Sequence, residues 1–142
     1  DAKRDWGHAK DYVEMQWLML QQKTPKDYVI ATGKQYSVRD FVKWTCSDLG
    51  IEIKFVGKGL KEKVVVEEVN SKKPLSIKKG DVIAKVDERY FRPSEVESLL
   101  GDAKKASKDL GWKPAISSRN LCKEMVQEDF SKALKEKKFN NL

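Results

Sequence analysis

The amino-acid sequence predicts a small mixed α/β fold, and two observations carry that expectation. Segments with apolar residues at helical spacing alternate along the chain with short β-branched runs, the pattern of a mixed α/β unit. The composition, 39% hydrophobic and 36% charged with aromatic residues well represented, is that of a globular chain with a polar surface and excludes a disordered one. At 142 residues the chain is long enough for one compact domain with a modest core. Its strands are short, and few for an independent sheet, as in a piece that packs against another domain.

Each element follows from local signals. Arg4–Gly7 reads as a short strand. A helix is expected over Ala9–Gln22, with Tyr12, Met15, Trp17, Leu18 and Met19 on a broad apolar face, Asp11 in the first turn, and Thr24-Pro25 as the stop. Tyr28–Thr32 is an apolar, β-branched run closed by Gly33, a buried strand. Ser37 is an N-cap for a helix carrying Val38, Phe41, Val42, Thr45 and Leu49, ended by Gly50. Ile51–Val56 alternates as a half-buried strand.

Residues 57–80 are rich in Gly, Lys, Glu and Ser. They are expected to form a long exposed basic loop, apart from Val64–Val66, which read as a strand or an edge. Asp81–Val86 is another strand. Asp102 caps a short helix that Gly111 closes. Ser117 or Ser118 opens a last helix with Leu121, Met125, Val126, Phe130 and Leu134 on one face, and residues 135–142 are expected to fray.

Several function classes are excluded by composition. No apolar run approaches the length of a membrane span, and no signal-peptide pattern opens the chain. Cys46 and Cys122 lie far apart and His8 has no partner at ligand spacing, so neither a disulfide scaffold nor a metal site is expected. The net charge of +7 attracts anions, but it cannot choose among nucleic acid, acidic lipid and phosphorylated small molecules. Much of it lies in Lys58–Lys79 and Lys132–Lys138, which read as a solvated loop and a solvated helix end. No RNP, KH or zinc signature accompanies it.

Three segments rise above generic structure: Arg4-Asp-Trp-Gly-His-Ala-Lys-Asp-Tyr-Val13, Val86-Asp-Glu-Arg-Tyr-Phe-Arg-Pro-Ser-Glu-Val96, and Gly101-Asp102 with Lys104, Lys105, Ala106 and then Leu110-Gly-Trp-Lys-Pro114. Together they resemble the C-terminal region of the extended short-chain dehydrogenase/reductase family. With Tyr28-Val-Ile-Ala-Thr-Gly33 and Ser37-Val-Arg39 added, order and spacing are most similar to its GDP-mannose 4,6-dehydratases, and Gly80-Asp-Val-Ile83 looks like their bacterial branch. The resemblance runs from Asp1 to about Asp129 and weakens in residues 58–79 and in the tail.

The resemblance implies an NAD(P)-binding Rossmann-fold enzyme. This chain would be its C-terminal nucleotide-sugar-binding region, residues 1–142, with the N-terminal Rossmann core absent. The substrate would be GDP-mannose and the product GDP-4-dehydro-6-deoxy-mannose, in deoxyhexose and GDP-fucose biosynthesis. By the same resemblance Arg92 grips the diphosphate, Glu95 takes the ribose hydroxyls and Arg4 makes a second phosphate contact. The chemistry agrees, since guanidinium forks match phosphate oxygens and a carboxylate accepts paired hydroxyls. No Gly-x-x-Gly-x-x-Gly and no Tyr-x-x-x-Lys occurs. NADP is therefore expected to bind the parent enzyme and not this chain alone, and no catalytic residue is assigned here. The expected partners are the missing Rossmann domain and, in the parent, a homo-oligomer, with no nucleic acid and no membrane, in the cytoplasm.

Read on their own, the same residues have blander roles. Arg4 pairs with Asp5 or Asp11, and Arg92 with Glu95 forms a surface i,i+3 ion pair worth a few tenths of a kcal/mol. His8 is a hydrogen-bonded structural residue, and Trp6, Trp17, Trp44 and Trp112 are packing residues. Two further readings stay open: a related nucleotide-sugar epimerase or dehydratase, and a stand-alone basic anion-binding module.

Overall fold

The computed structural model describes residues 1–91 and 96–139. The chain divides into two compact units, Asp1–Phe41 with Val96–Leu142, and Val42–Glu95.

The first unit holds β1 (Lys3–Arg4), α1 (Ala9–Leu20), β2 (Tyr36–Ser37), α3 (Lys104–Leu110) and α4 (Ser118–Phe139). Helix α1 starts where His8 Nδ1 accepts the Lys10 N–H at 3.0 Å. Helix α3 starts where the Asp102 carboxylate accepts the Lys104 N–H at 3.0 Å. It stops at Gly111, whose left-handed φ of 68° lets its N–H reach the Ser107 carbonyl. Ser117 Oγ accepts the Asn120 N–H and opens α4. Met15, Ala106 and Trp112 form the core, with Tyr12, Leu18, Met19, Tyr28 and Ile30 packed against it. Trp6 stacks edge-on against Phe41, ring centres 5.1 Å apart.

The second unit is a three-stranded antiparallel sheet in the order β3-β4-β5, made of Ile51–Val56, Lys63–Val69 and Val82–Lys85. Helix α2 (Val38–Asp48) crosses the division between the units and contributes Val42 and Cys46 to this core. Its start is a reciprocal cap: Asp40 accepts from the Ser37 N–H and hydroxyl, and Ser37 Oγ accepts the Asp40 N–H. Cys46, Ile51 and Val66 form the buried centre of the unit.

The structure departs from the sequence expectations in four places. The basic stretch 57–80 contains β4, the central strand of the sheet, with Val64 and Val66 buried. Pairing on both sides outweighs the low apolar content of the flanking residues, because strand preference is set by neighbours across the ladder. Gly57 and Gly59, at φ 88° and 55°, turn the chain between β3 and β4. Tyr28–Thr32 is not part of any described ladder, and only Ala31 in it is fully buried, while Val29 is 52% exposed. The first strand is Lys3–Arg4 rather than Arg4–Gly7. Helix α4 runs on to Phe139, past the residue where fraying was expected.

Candidate functional site

The site is built outward from β1, which is two residues long and held on both sides. Lys3 pairs with Ser37 of β2 on one edge and forms a parallel bridge with Ser98 on the other. The Lys3 N–H donates to the Glu97 carbonyl at 2.8 Å, and the Lys3 carbonyl accepts from Leu99 at 3.3 Å. Gln35 Nε2 donates to Ser98 Oγ at 2.8 Å, tying the same two segments again.

Arg4 strengthens this junction. Its Nη1 donates to the carbonyls of Lys3, at 2.8 Å, and Val96, at 2.7 Å. Val96 directly follows Glu95 in the chain. Arg4 is therefore anchored to the residue that follows Glu95 in the chain. Arg92 and Glu95 themselves lie outside the described residues.

The two aspartates offered as bland partners for Arg4 are engaged elsewhere. Asp5 accepts from the Thr32 N–H at 2.9 Å and the Thr32 hydroxyl at 2.6 Å through one oxygen, and from the Gly33 N–H at 2.8 Å through the other. Gly33 has φ 72°, a left-handed turn that suits glycine. Asp11, 3% exposed, accepts from the Ala115 and Ile116 N–H groups at 3.1 and 2.9 Å. Charge-assisted bonds of this kind are about twice as strong as neutral ones. Trp112 Nε1 adds a bond to the Asp11 carbonyl at 3.0 Å, and the Ser118 hydroxyl donates to the Trp6 carbonyl at 2.7 Å. The motif Arg4–Asp11 is thus a hub that gathers segments 32–33, 96–99 and 112–118 of the first unit.

Beside this hub lies a cavity of about 430 Å³. Its walls are the Thr32-Gly33 turn, Gly101-Asp102 with Lys104, and Trp112-Lys113-Pro114. Two of the motifs singled out in the sequence, Tyr28–Gly33 and Gly101–Pro114, therefore line one hollow. Gly101 is small because Ala31 presses against it; a Cβ there would collide with the Ala31 methyl. The carboxyl of Asp102 is held below the usual aspartate range, first by the Lys104 backbone N–H, against an opposing effect of burial, and then by the Lys104 ammonium. Burial pushes the Tyr12 hydroxyl above its ordinary value, and the Asp5 charge adds to the rise. Tyr12 packs on Gly7, where no side chain fits.

Other expectations resolve plainly. His8 caps α1, with Nε2 3.3 Å from Glu124. Trp112 is a core residue at 3% exposure, but Trp17 is 59% exposed and does not pack as expected, because the apolar face of α1 is wider than the core of this unit covers. The roles of Asp5 and Asp11 were not legible from the motif that contains them. The only signal was two carboxylates inside an otherwise family-like run.

The model of the family described as GDP-mannose 4,6 dehydratase matches residues 1–125. The chain belongs to that family. A GDP-mannose 4,6-dehydratase of Vibrio cholerae is 55% identical over 133 residues, covering 94% of this chain and 36% of the relative. That of Vibrio cholerae serotype O1 is 58% identical with the same coverage. The GDP-mannose 4,6 dehydratase of Dictyostelium discoideum is 46% identical over 140 residues, covering 99% of this chain and 36% of the relative. The chain spans about a third of the length of the curated relatives it matches. The dehydratase family thus accounts for the Arg4–Asp11 hub and all three walls of the cavity, which fall within the matched residues.

Proposed function

We propose that this chain is the nucleotide-sugar-binding part of a longer GDP-mannose 4,6-dehydratase. That enzyme is a lyase converting GDP-D-mannose to GDP-4-dehydro-6-deoxy-D-mannose. The observation that carries the proposal is the family match over residues 1–125, which includes every motif residue named for substrate. Arg92 would grip the diphosphate and Glu95 the ribose hydroxyls. Arg4 would act as a second phosphate contact while it fixes the Val96 carbonyl that follows them.

The reaction in such an enzyme needs hydride transfer from and back to the sugar, the chemistry that bound NADP supplies. Among the described residues, the glycine pair Gly57 and Gly59 does not fit that group. Gly57 and Gly59 turn from β3 into a short 3-10 segment, Gly59–Lys61, and a Cβ on Gly57 would strike the Lys61 carbonyl, so no open phosphate cradle forms there. NADP binding and the acid–base residues are accordingly proposed to belong to the remainder of the longer polypeptide, the Rossmann domain. What this chain contributes is binding and orientation: cationic groups for the diphosphate, with Arg4 held in a bonded hub. Assembly into a homo-oligomer and a cytoplasmic location are proposed for the whole enzyme. Among the described residues, no helix is long and apolar enough to cross a membrane.

Calorimetric titration of GDP-mannose into the longer polypeptide tests the reading. Arg92→Ala and Glu95→Ala are each expected to weaken binding about 10- to 100-fold, as loss of charge-assisted bonds does, without moving the urea midpoint. Unchanged affinity in both variants would falsify the assigned roles. The pI of about 9.3 favours one rival, a basic module that binds polyanions. Salt-sensitive binding to random RNA, with no saturable binding of GDP-mannose, would select that rival. A preference for another nucleotide sugar would select a related epimerase or dehydratase.

A further inference from the structure

Strand β1 is only two residues long, and one of the two is Arg4. A pairing this short is marginal by itself, so the bonds around it decide where Arg4 stands. A guanidinium holds five N–H groups in one rigid plane. Arg4 Nη1 donates to the Lys3 carbonyl at 2.8 Å and to the Val96 carbonyl at 2.7 Å. Two bonds from one nitrogen to acceptors on neighbouring segments set that plane, and with it the direction of the other N–H groups.

The Lys3 carbonyl belongs to β1 itself. The Val96 carbonyl comes from 92 positions further along the chain, and its place depends on how residues 96–99 are tied to β1. Two backbone bonds contribute, from the Lys3 N–H to the Glu97 carbonyl and from the Leu99 N–H to the Lys3 carbonyl. One side-chain pair adds to them. Gln35 Nε2 donates to Ser98 Oγ at 2.8 Å, and the Ser98 hydroxyl donates to Gln35 Oε1 at 3.3 Å. Gln35 directly precedes β2, which pairs with one edge of β1, while Ser98 bridges the other edge. The pair is therefore a strut across β1, from one flanking segment to the other. Gln35 is half-buried and Ser98 exposed, so neither fills the core. Neither stands in any of the motifs singled out in the sequence.

We infer that Gln35 and Ser98 are positioning residues: their pair keeps the Val96 carbonyl within reach of Arg4 Nη1, and so fixes the direction in which Arg4 meets a nucleoside diphosphate. The inference rests on the proposal that Arg4 contacts a phosphate of GDP-mannose, and it adds what orients that contact. A guanidinium fork must match phosphate oxygens in angle as well as in charge. Released from the Val96 carbonyl, Arg4 keeps its charge and loses the match. The proposed chemistry takes place on the sugar, so the loss falls equally on bound substrate and on the transition state. Its signature is a raised KM at unchanged kcat. A role in folding alone would instead reduce the amount of active protein, and so kcat, at unchanged KM.

The test uses the longer polypeptide with GDP-mannose as the probe, by calorimetric titration and by initial rates. Gln35→Ala and Ser98→Ala are each expected to weaken binding about 3- to 10-fold, the size of one lost hydrogen bond, and to raise KM by the same factor with kcat unchanged. Ser98→Thr keeps the hydroxyl and should recover most of that loss. In an Arg4→Lys background the charge remains but the fork is gone, and there Gln35→Ala should weaken binding by less than about 1.5-fold further. The inference fails if both alanine variants bind and turn over GDP-mannose as before, or if they lower kcat at unchanged KM. It also fails if Gln35→Ala weakens binding as much in the Arg4→Lys background as in the original chain, since the pair then acts apart from Arg4. Absence of saturable GDP-mannose binding in the unsubstituted polypeptide is a different result: it overturns the reading of the chain as substrate-binding, and this inference with it.

Discussion

Residues 42–95 build their unit from one continuous stretch, in which neighbouring strands pair in antiparallel order over an aliphatic centre of Ile51 and Val66. The other unit is assembled from both ends of the chain, and two carboxylates, half-buried Asp5 and buried Asp11, do much of the gathering. Asp5 holds residues 32–33, 27 positions away, and Asp11 holds residues 115–116, more than 100 positions away. The difference teaches where each unit is vulnerable. A sheet of local hairpins loses stability through cavities. A unit tied by carboxylates loses it through backbone N–H groups left without an acceptor.

The sharpest way to break this contrast is Asp11→Ala. It removes the acceptor of two N–H groups, and the expected loss is about 3 kcal/mol by urea unfolding. Amide exchange should rise in α1 and residues 112–116 while the β3–β4 ladder keeps its protection. Equal loosening of both units would abolish the distinction. Next in size is Val66→Ala in the sheet, where a side chain 1% exposed is truncated, with an expected cost of about 2 kcal/mol and the opposite pattern of exchange. Ser117→Ala removes the cap of α4 and should cost about 1 kcal/mol, seen as a lower melting temperature.

The smallest effects concern two exposed carboxylates, one in each unit. Asp87 is held below the ordinary aspartate range first by the Arg89 side chain, which meets it at 2.8 Å, and then by the Arg89 N–H. Asp102 is lowered first by a backbone N–H. Their folded values lie below the unfolded one. The stabilisation they bring is therefore present above the unfolded value, roughly 3.9, and is lost as pH falls through the folded value. In an NMR titration Arg89→Ala should raise the Asp87 midpoint markedly. Lys104→Ala should leave most of the Asp102 depression in place, because the backbone N–H survives the substitution. An equal rise at both sites would show that the side-chain cations dominate in both units.

Much of the fold was legible from residues four or fewer apart. The Ser37 cap, the Gly111 stop and the Ser117 start appear where the sequence places them, while the cap position of α3 falls on Ala103, one residue after Asp102. Family membership was legible too, because it rests on the order of motifs rather than on their contacts. Strand β4 was legible only as a candidate over Val64–Val66; its length and central place were not, since three consecutive valines in a lysine-rich stretch become a central strand only when two other strands align with them. Nor was the state of Tyr28–Thr32. Its composition is that of a strand, but a strand exists only with a partner, and the described residues hold none for it.

For the candidate site, the sequence marked Arg4, Arg92 and Glu95 and the walls of the cavity. It could not say that Asp5 and Asp11 would be spent on holding the hub rather than on Arg4. By itself the sequence determined the Ser37 and Ser117 caps, the Gly111 stop, the motif residues and the family, because each is encoded within a few residues or in their linear order. Only the tertiary structure decided which carboxylate meets which N–H, which valines lie at the centre of a sheet and which apolar stripe stays open. Those choices depend on groups brought together from distant parts of the chain, and a carboxylate bonds whatever donor folding delivers to it.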